Sequence, residues 1–128
     1  MTEYMDHGSL RDLIHNETVV VEGDQLLSIL VDVASGLRYL HSSNVVHGDI
    51  KAQNILVDKS KCSLHHILQT DTFVCPGFRA KVTDFALCQE RALGASGTPY
   101  WMAPEILRAE SSNTPQSDAY SFGIMLFE

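Results

Sequence analysis

The chain has 128 residues, 45% of them hydrophobic, and 9 Lys+Arg against 16 Asp+Glu leave a net charge of −7 at pH 7. That length suits one compact domain or a part of a larger one. An acidic balance with no Lys/Arg block excludes a protein that grips nucleic acid or anionic lipid by charge, because both need a basic footprint.

The longest strongly apolar run, residues 120–127, falls far short of the ~20 residues of a membrane-spanning helix. The opening stretch, Met1 to Asp6, has neither the basic flank nor the apolar core of a signal peptide. Cys62, Cys75 and Cys88 are odd in number and irregularly spaced, which points to a reducing, cytoplasmic setting rather than a disulfide framework.

In chain order, Leu26, Ile29, Leu30, Val33, Leu37 and Leu40 recur at helical spacing and predict a long core-facing helix over 24–43, with Asp24 placed to cap it. Val45-Val46 and a polar cluster, His47-Gly48-Asp49, follow. Ile55-Leu56-Val57 reads as a short strand, and the alternation Ala80, Lys81, Val82, Thr83 as its hairpin partner. Residues 58–77 separate the two, whereas hairpin loops usually take about 2–5 residues. Without Lys61–Gly77 a short turn would remain, and Ser60-Lys61 and Pro76-Gly77 can be encoded with a splice donor and acceptor. Residues 61–77 are thus read as an insert, either a translated intron or a genuine loop. Its Cys62, His65, His66 and Cys75 match no common zinc spacing, so no metal is assigned there. From Asp118 to Glu128 the chain is apolar on nearly every side, as a helix buried in the middle of a larger body would be, and is read as the start of a central helix over 117–128 whose surroundings are expected outside this chain.

The chemistry concentrates in His47-Gly48-Asp49-Ile50-Lys51-Ala52-Gln53-Asn54, a loop between the long helix and the first strand. It sets a carboxylate, a cation and an amide close together. Phosphoryl transfer needs such a set: a carboxylate to orient the attacking hydroxyl and take its proton, a cation for the moving phosphate, and an amide oxygen on a metal. After the second strand stands Asp84-Phe85-Ala86, where a second carboxylate can hold Mg²⁺. Gly97-Thr98-Pro99-Tyr100-Trp101-Met102-Ala103-Pro104-Glu105 then precedes a helix.

In that order, H-x-D-x-K-x-x-N, D-F-x and A-P-E resemble the large lobe of eukaryotic protein kinases, over the whole chain except the insert. The resemblance implies a mainly α fold with a short β-hairpin: a kinase-like C-terminal lobe, incomplete, with the N-lobe and the last helices absent. It divides the chain into a hinge at 1–8, the long helix, a catalytic loop at 47–54, an activation segment at 84–105 and the central helix. It implies Asp49 as catalytic aspartate, Lys51 as phosphate-contacting lysine, Asn54 as catalytic-loop metal ligand, Asp84 as the main Mg²⁺ ligand, and Thr98 as the bridge between Asp49 and Lys51. Backbone groups of Glu3 and Met5 would bond the adenine of ATP, Ser9 would meet its ribose, and Leu56 and Leu10 would line its lower face. His47 and Phe85 would belong to a hydrophobic spine, and Asp118, otherwise a simple helix cap, would tie the catalytic loop to the central helix. Gly-Ser-Leu after the hinge and Ser-Asp-x-Tyr-Ser-Phe-Gly near the end resemble the tyrosine-kinase-like serine/threonine kinases.

Two positions depart from the pattern. Gly48 replaces the arginine that reads a phosphate on the activation loop, and Ala86 replaces a glycine, adding a Cβ where the backbone needs freedom. Ser96 is a candidate phosphosite, and the resemblance implies that Glu105 is a structural residue whose arginine partner is expected further along than this chain reaches. No G-x-G-x-x-G loop or upstream lysine strand precedes the hinge. The expectation is a Mg²⁺- and ATP-dependent serine/threonine kinase acting on protein substrates, inactive as an isolated fragment. The rival is a non-catalytic kinase-homology module with a regulatory or scaffold role.

Overall fold

The structure, a computed structural model, describes residues 8–59, 78–84 and 97–128. It is helical with one antiparallel strand pair, in the order α1 (Leu10–Ile14), α2 (Gly23–Ser42), β1 (Ile55–Lys59), β2 (Phe78–Val82), α3 (Pro104–Leu107) and α4 (Pro115–Met125). The proposed insert 61–77 and residues Phe85, Ala86, Cys88 and Ser96 lie outside the described residues.

α2 begins one residue before the expected start, and Asp24 is not its cap. The N-cap is Glu22, whose backbone N–H donates to Gln25 Oε1 at 3.2 Å. Asp24 sits in the first turn, where a negative charge suits the positive end of the helix. The buried stripe is Ile29, Val33 and Leu37. Leu26 remains 40% exposed, so the apolar face is narrower than its spacing predicts.

β1 and β2 pair in register, Ile55 with Val82 and Val57 with Ala80. Ile55 and Val57 point inward, and α2 lies across the sheet so closely that a Cβ on Gly36 would touch Val82 Cγ2 at 3.4 Å. The free edge of β2 is covered by α2 side chains. Asp32 Oδ2 accepts from Ala80 N–H at 3.0 Å, and Ser28 Oγ donates to the Phe78 carbonyl at 3.4 Å. Positions four apart on a helix rise about 6 Å and positions two apart on a strand about 6.6 Å, so one helix face can match one strand edge. The free edge of β1 is covered by the chain before α1: Val57 N–H donates to Gly8 O at 2.9 Å, beside a bridge between Ser9 and Leu56.

Leu10, Leu13, Ile29, Val33, Leu37, Ile50, Ile55, Val57 and Phe78 form the core, joined from α4 by Met125. α4 runs 115–125, not 117–128, with Thr114 as N-cap in a reciprocal box with Ser117 and Pro115 in the first turn. Its buried face is Ser117, Asp118, Ser121 and Met125, while Leu126 and Phe127 are exposed. Among the described residues one face is covered, and that face is mostly polar because it hydrogen-bonds to loops. Among the described residues no helix is long and apolar enough to cross a membrane.

Candidate active site

The loop 47–54 hangs from α4. Asp118, 1% exposed, accepts from His47 N–H and Gly48 N–H at 2.8 Å each, one per carboxylate oxygen, and its Oδ2 lies 2.9 Å from His41 Nε2. A buried carboxylate is tolerable when its lone pairs are used in this way. Asp118 is therefore a tie between α4 and the loop rather than a helix cap.

His47 is fully buried. Its Nε2 faces the Thr83 carbonyl at 2.9 Å, and its Nδ1 accepts from Asp49 N–H at 3.2 Å. These partners put the ring proton on Nε2. Thr83 N–H in turn donates to Asn54 O at 2.9 Å, so the end of β2 is fixed to the loop from two directions. The next residue, Asp84, is exposed, with φ 64°, a left-handed conformation that Asp adopts at some cost.

Four donors converge on Asp49. Its Oδ1 accepts from Thr98 N–H at 3.0 Å and Thr98 Oγ1 at 2.7 Å; its Oδ2 accepts from Asn54 Nδ2 and Lys51 Nζ at 3.0 Å each. Lys51 Nζ also donates to Thr98 Oγ1 at 2.6 Å, so that hydroxyl takes a proton from the lysine and gives its own to the aspartate. Burial of Asp49 opposes its ionisation. The hydrogen bonds from Thr98, Lys51 and Asn54, with the lysine's charge, outweigh that and hold the carboxyl below the usual carboxylate range. Thr98 can reach the loop because Gly97 lies against Gly48: a Cβ on Gly97, at φ 134°, would fall 2.5 Å from Gly48 O. Gly48 itself has φ 81°, open to glycine without strain.

Asn54 spends both amide hydrogens on Asp49, through Oδ2 and through the backbone carbonyl at 2.7 Å. Its Oδ1 has no partner among the described residues, and neither has the Asp84 carboxylate. Both are hard oxygen donors of the kind Mg²⁺ accepts, an ion that takes few protein ligands and keeps water or phosphate oxygens for the rest. No group of three or more His, Cys, Asp or Glu capable of holding a metal occurs among the described residues.

The residues assigned to ATP divide differently. Glu3 and Met5 lie outside the described residues. Leu56 alternates with the inward Ile55 and Val57 and stays half-buried on the other face of β1, whereas Leu10 is 3% exposed in the core. Ser9 caps α1: its Oγ donates to Asp12 Oδ2 at 2.6 Å, and Asp12 N–H donates back to Ser9 Oγ at 3.2 Å. The Ser9 hydroxyl and backbone N–H hold the Asp12 carboxyl below its usual range. The sequence reading missed α1, although Ser9-x-x-Asp12 with Leu10 and Leu13 carries a capping-box signal. It also missed Ser121, whose Oγ donates to Trp101 O at 2.6 Å, and Glu128, whose Oε2 accepts from Ala52 N–H at 2.8 Å. No side-chain pattern announces a partner that is a distant backbone group.

Comparison with known proteins identifies the family. The family model for protein tyrosine and serine/threonine kinases matches residues 1–128. The serine/threonine-protein kinase CTR1 of Arabidopsis thaliana is 41% identical over 138 residues, which cover 100% of this chain and 15% of that protein. The probable serine/threonine-protein kinase drkB of Dictyostelium discoideum is 36% identical over 99% of this chain and 17% of its own length. The serine/threonine-protein kinase shk2 of Schizosaccharomyces pombe is 33% identical over 98% of this chain and 19% of its own length. The chain thus spans less than a fifth of each of these curated relatives.

Proposed function

The chain belongs to the protein tyrosine and serine/threonine kinase family, and from that premise we propose that its loop 47–54 serves transfer of the terminal phosphate of ATP to a serine or threonine hydroxyl of a protein. The observation that carries the reading is the convergence of Thr98, Lys51 and Asn54 on the Asp49 carboxylate. Held ionised, Asp49 is a weak base. Its part is to orient the incoming hydroxyl and to accept the proton late, as the phosphate leaves ADP, which is what a loose phosphoryl transition state asks of the protein. Lys51 balances charge on the phosphate in flight, and Thr98 keeps Lys51 and Asp49 at a fixed separation.

Asn54 Oδ1 and Asp84 would hold Mg²⁺, which when bound neutralises charge on the phosphate oxygens. Ser9 and the outer face of Leu56 flank the position proposed for the nucleoside, with the backbone of Glu3 and Met5 as adenine partners. The use of Thr98 and Lys51 together favours Ser/Thr over Tyr acceptors.

The test is phosphate transfer from labelled ATP to a mixed Ser, Thr and Tyr peptide library by a completed kinase domain that carries this segment, read by phosphoamino-acid analysis. Label is expected on Ser and Thr, with D49N lowering it about 10²- to 10⁴-fold. Label equally strong in D49N, or label confined to tyrosine, would refute the assignment. Binding of Mg²⁺ and ATP with no transfer under any condition would favour a non-catalytic regulatory or scaffold module.

A further inference from the structure

Asp49 and Asn54 are separated by a turn that carries none of the chemistry and still decides where the chemistry sits. Ala52–Asn54 forms one turn of 3₁₀-helix, closed by Asn54 N–H donating to Lys51 O at 2.9 Å. Ala52 is fully buried and has no polar side chain of its own. Its N–H opens the turn, where no carbonyl within the turn can take it, and a buried N–H left unpaired is costly. The acceptor is Glu128 Oε2 at 2.8 Å. Glu128 is seated for this: its own N–H donates to the carbonyl of Met125, a core residue 4% exposed, so the end of α4 is continuous with the packed interior. A carboxylate on the opening N–H of a turn is charge-assisted and favourably placed against the turn's positive end.

We infer that Glu128 is a positioning residue for the active loop: by holding Ala52 N–H it fixes the turn that presents Asn54 to both Asp49 and the metal. This rests on the kinase reading of Asn54. Asp118, in the first turns of α4, fixes the start of the loop, and Glu128, three residues past the helix, fixes its far end.

The test uses the intact chain and two readouts, backbone amide exchange at Ala52 and the movement of the Asn54 side-chain amide signal on titration with Mg²⁺ and a non-hydrolysable ATP analogue. In E128A, Ala52 exchange is expected to accelerate by about tenfold or more while Ile29 and Val33 keep their protection. The Mg²⁺ concentration that saturates the Asn54 shift is expected to rise, and E128Q, which keeps an acceptor oxygen, restores both. A52P deletes the donor instead. Lys51, at φ −162° and ψ 161°, already has the conformation required before proline, and proline suits the first position of the turn. A52P should therefore match E128A in its Mg²⁺ response, and the double variant should be no worse than either single one. Unchanged Ala52 exchange in E128A, or equal acceleration at Ala52, Ile29 and Val33, overturns the positioning role. An Asn54 signal indifferent to Mg²⁺ and nucleotide in the unaltered chain counts against the kinase reading instead, and is read separately from the exchange result.

Discussion

At the Asp49 carboxylate every oxygen is spoken for, and the partner that touches both other charged groups is Thr98. Replacing Thr98 with valine keeps its backbone N–H on Asp49 Oδ1 and removes the hydroxyl that joins Asp49 to Lys51 at 2.7 and 2.6 Å. Lys51 is then left with Asp49 alone and gains freedom to swing. Transfer is expected to fall about ten- to a hundredfold, the usual cost of a misplaced reacting group, while T98S stays near the unaltered rate. Equal rates for T98V and T98S would show the hydroxyl to be dispensable. The same contacts set the response to acid. The Asp49 carboxyl titrates lower in the folded chain than in the unfolded one, where it lies at about 3.9. Its contribution to stability is therefore complete above that unfolded value and is lost as pH falls through the lower folded one. Denaturant midpoints of the unaltered chain and D49N should differ by a constant amount from pH 7 to about 5 and converge in stronger acid. A gap that persists unchanged at pH 2 would assign the difference to packing.

Among the elements, the helix-on-hairpin contact depends on polar groups as much as on Ile29 and Val33. Asp32→Ala leaves Ala80 N–H unpaired at the strand edge, and the expected cost is about 1–3 kcal/mol, with D32N recovering most of it through its amide oxygen. Urea unfolding followed by circular dichroism measures both, and an unchanged midpoint in D32A would mean that water replaces the carboxylate. The contact also shows why some elements could be read from sequence and others could not. The hairpin and α2 announce themselves by local periodicity, and the loop residues Asp49, Lys51 and Asn54 by close spacing, since groups that act together within one turn must be near in sequence. Asp32, Ser28, Ser121 and Glu128 act on backbone groups far along the chain, where side-chain identity leaves no trace. α1, five residues long, is too short for periodicity to declare it. In α4 the composition is apolar, while the face covered among the described residues is mostly Ser117, Asp118 and Ser121, whose partners no periodicity announces.

Taken as a whole, the molecule is held by two different kinds of force. The apolar core belongs to α1, α2, the loop and the hairpin, with Met125 and the partly buried Phe122 as the contribution from α4. The segment from Gly97 onward also buries Ala103 and Ile106, and it is tied to the loop by hydrogen bonds: Thr98 to Asp49, and above all Asp118 to His47 and Gly48. Such bonds are short-range and all-or-none, so the two parts should differ in how they open. Asp118→Ala leaves the buried His47 N–H and the partly buried Gly48 N–H without their acceptor, and it also releases His41. The expected cost is about 3 kcal/mol, a large share of the roughly 5–15 kcal/mol that holds a domain of this kind together. The loss should be uneven. Amides of α4 and of 98–107 should exchange much faster in D118A, while those of α2 at Ile29 and Val33 keep their protection, because the core beneath them is intact. A uniform rise in exchange across both parts would mean that the core and the polar attachment unfold as one unit, and that the site cannot loosen without the fold.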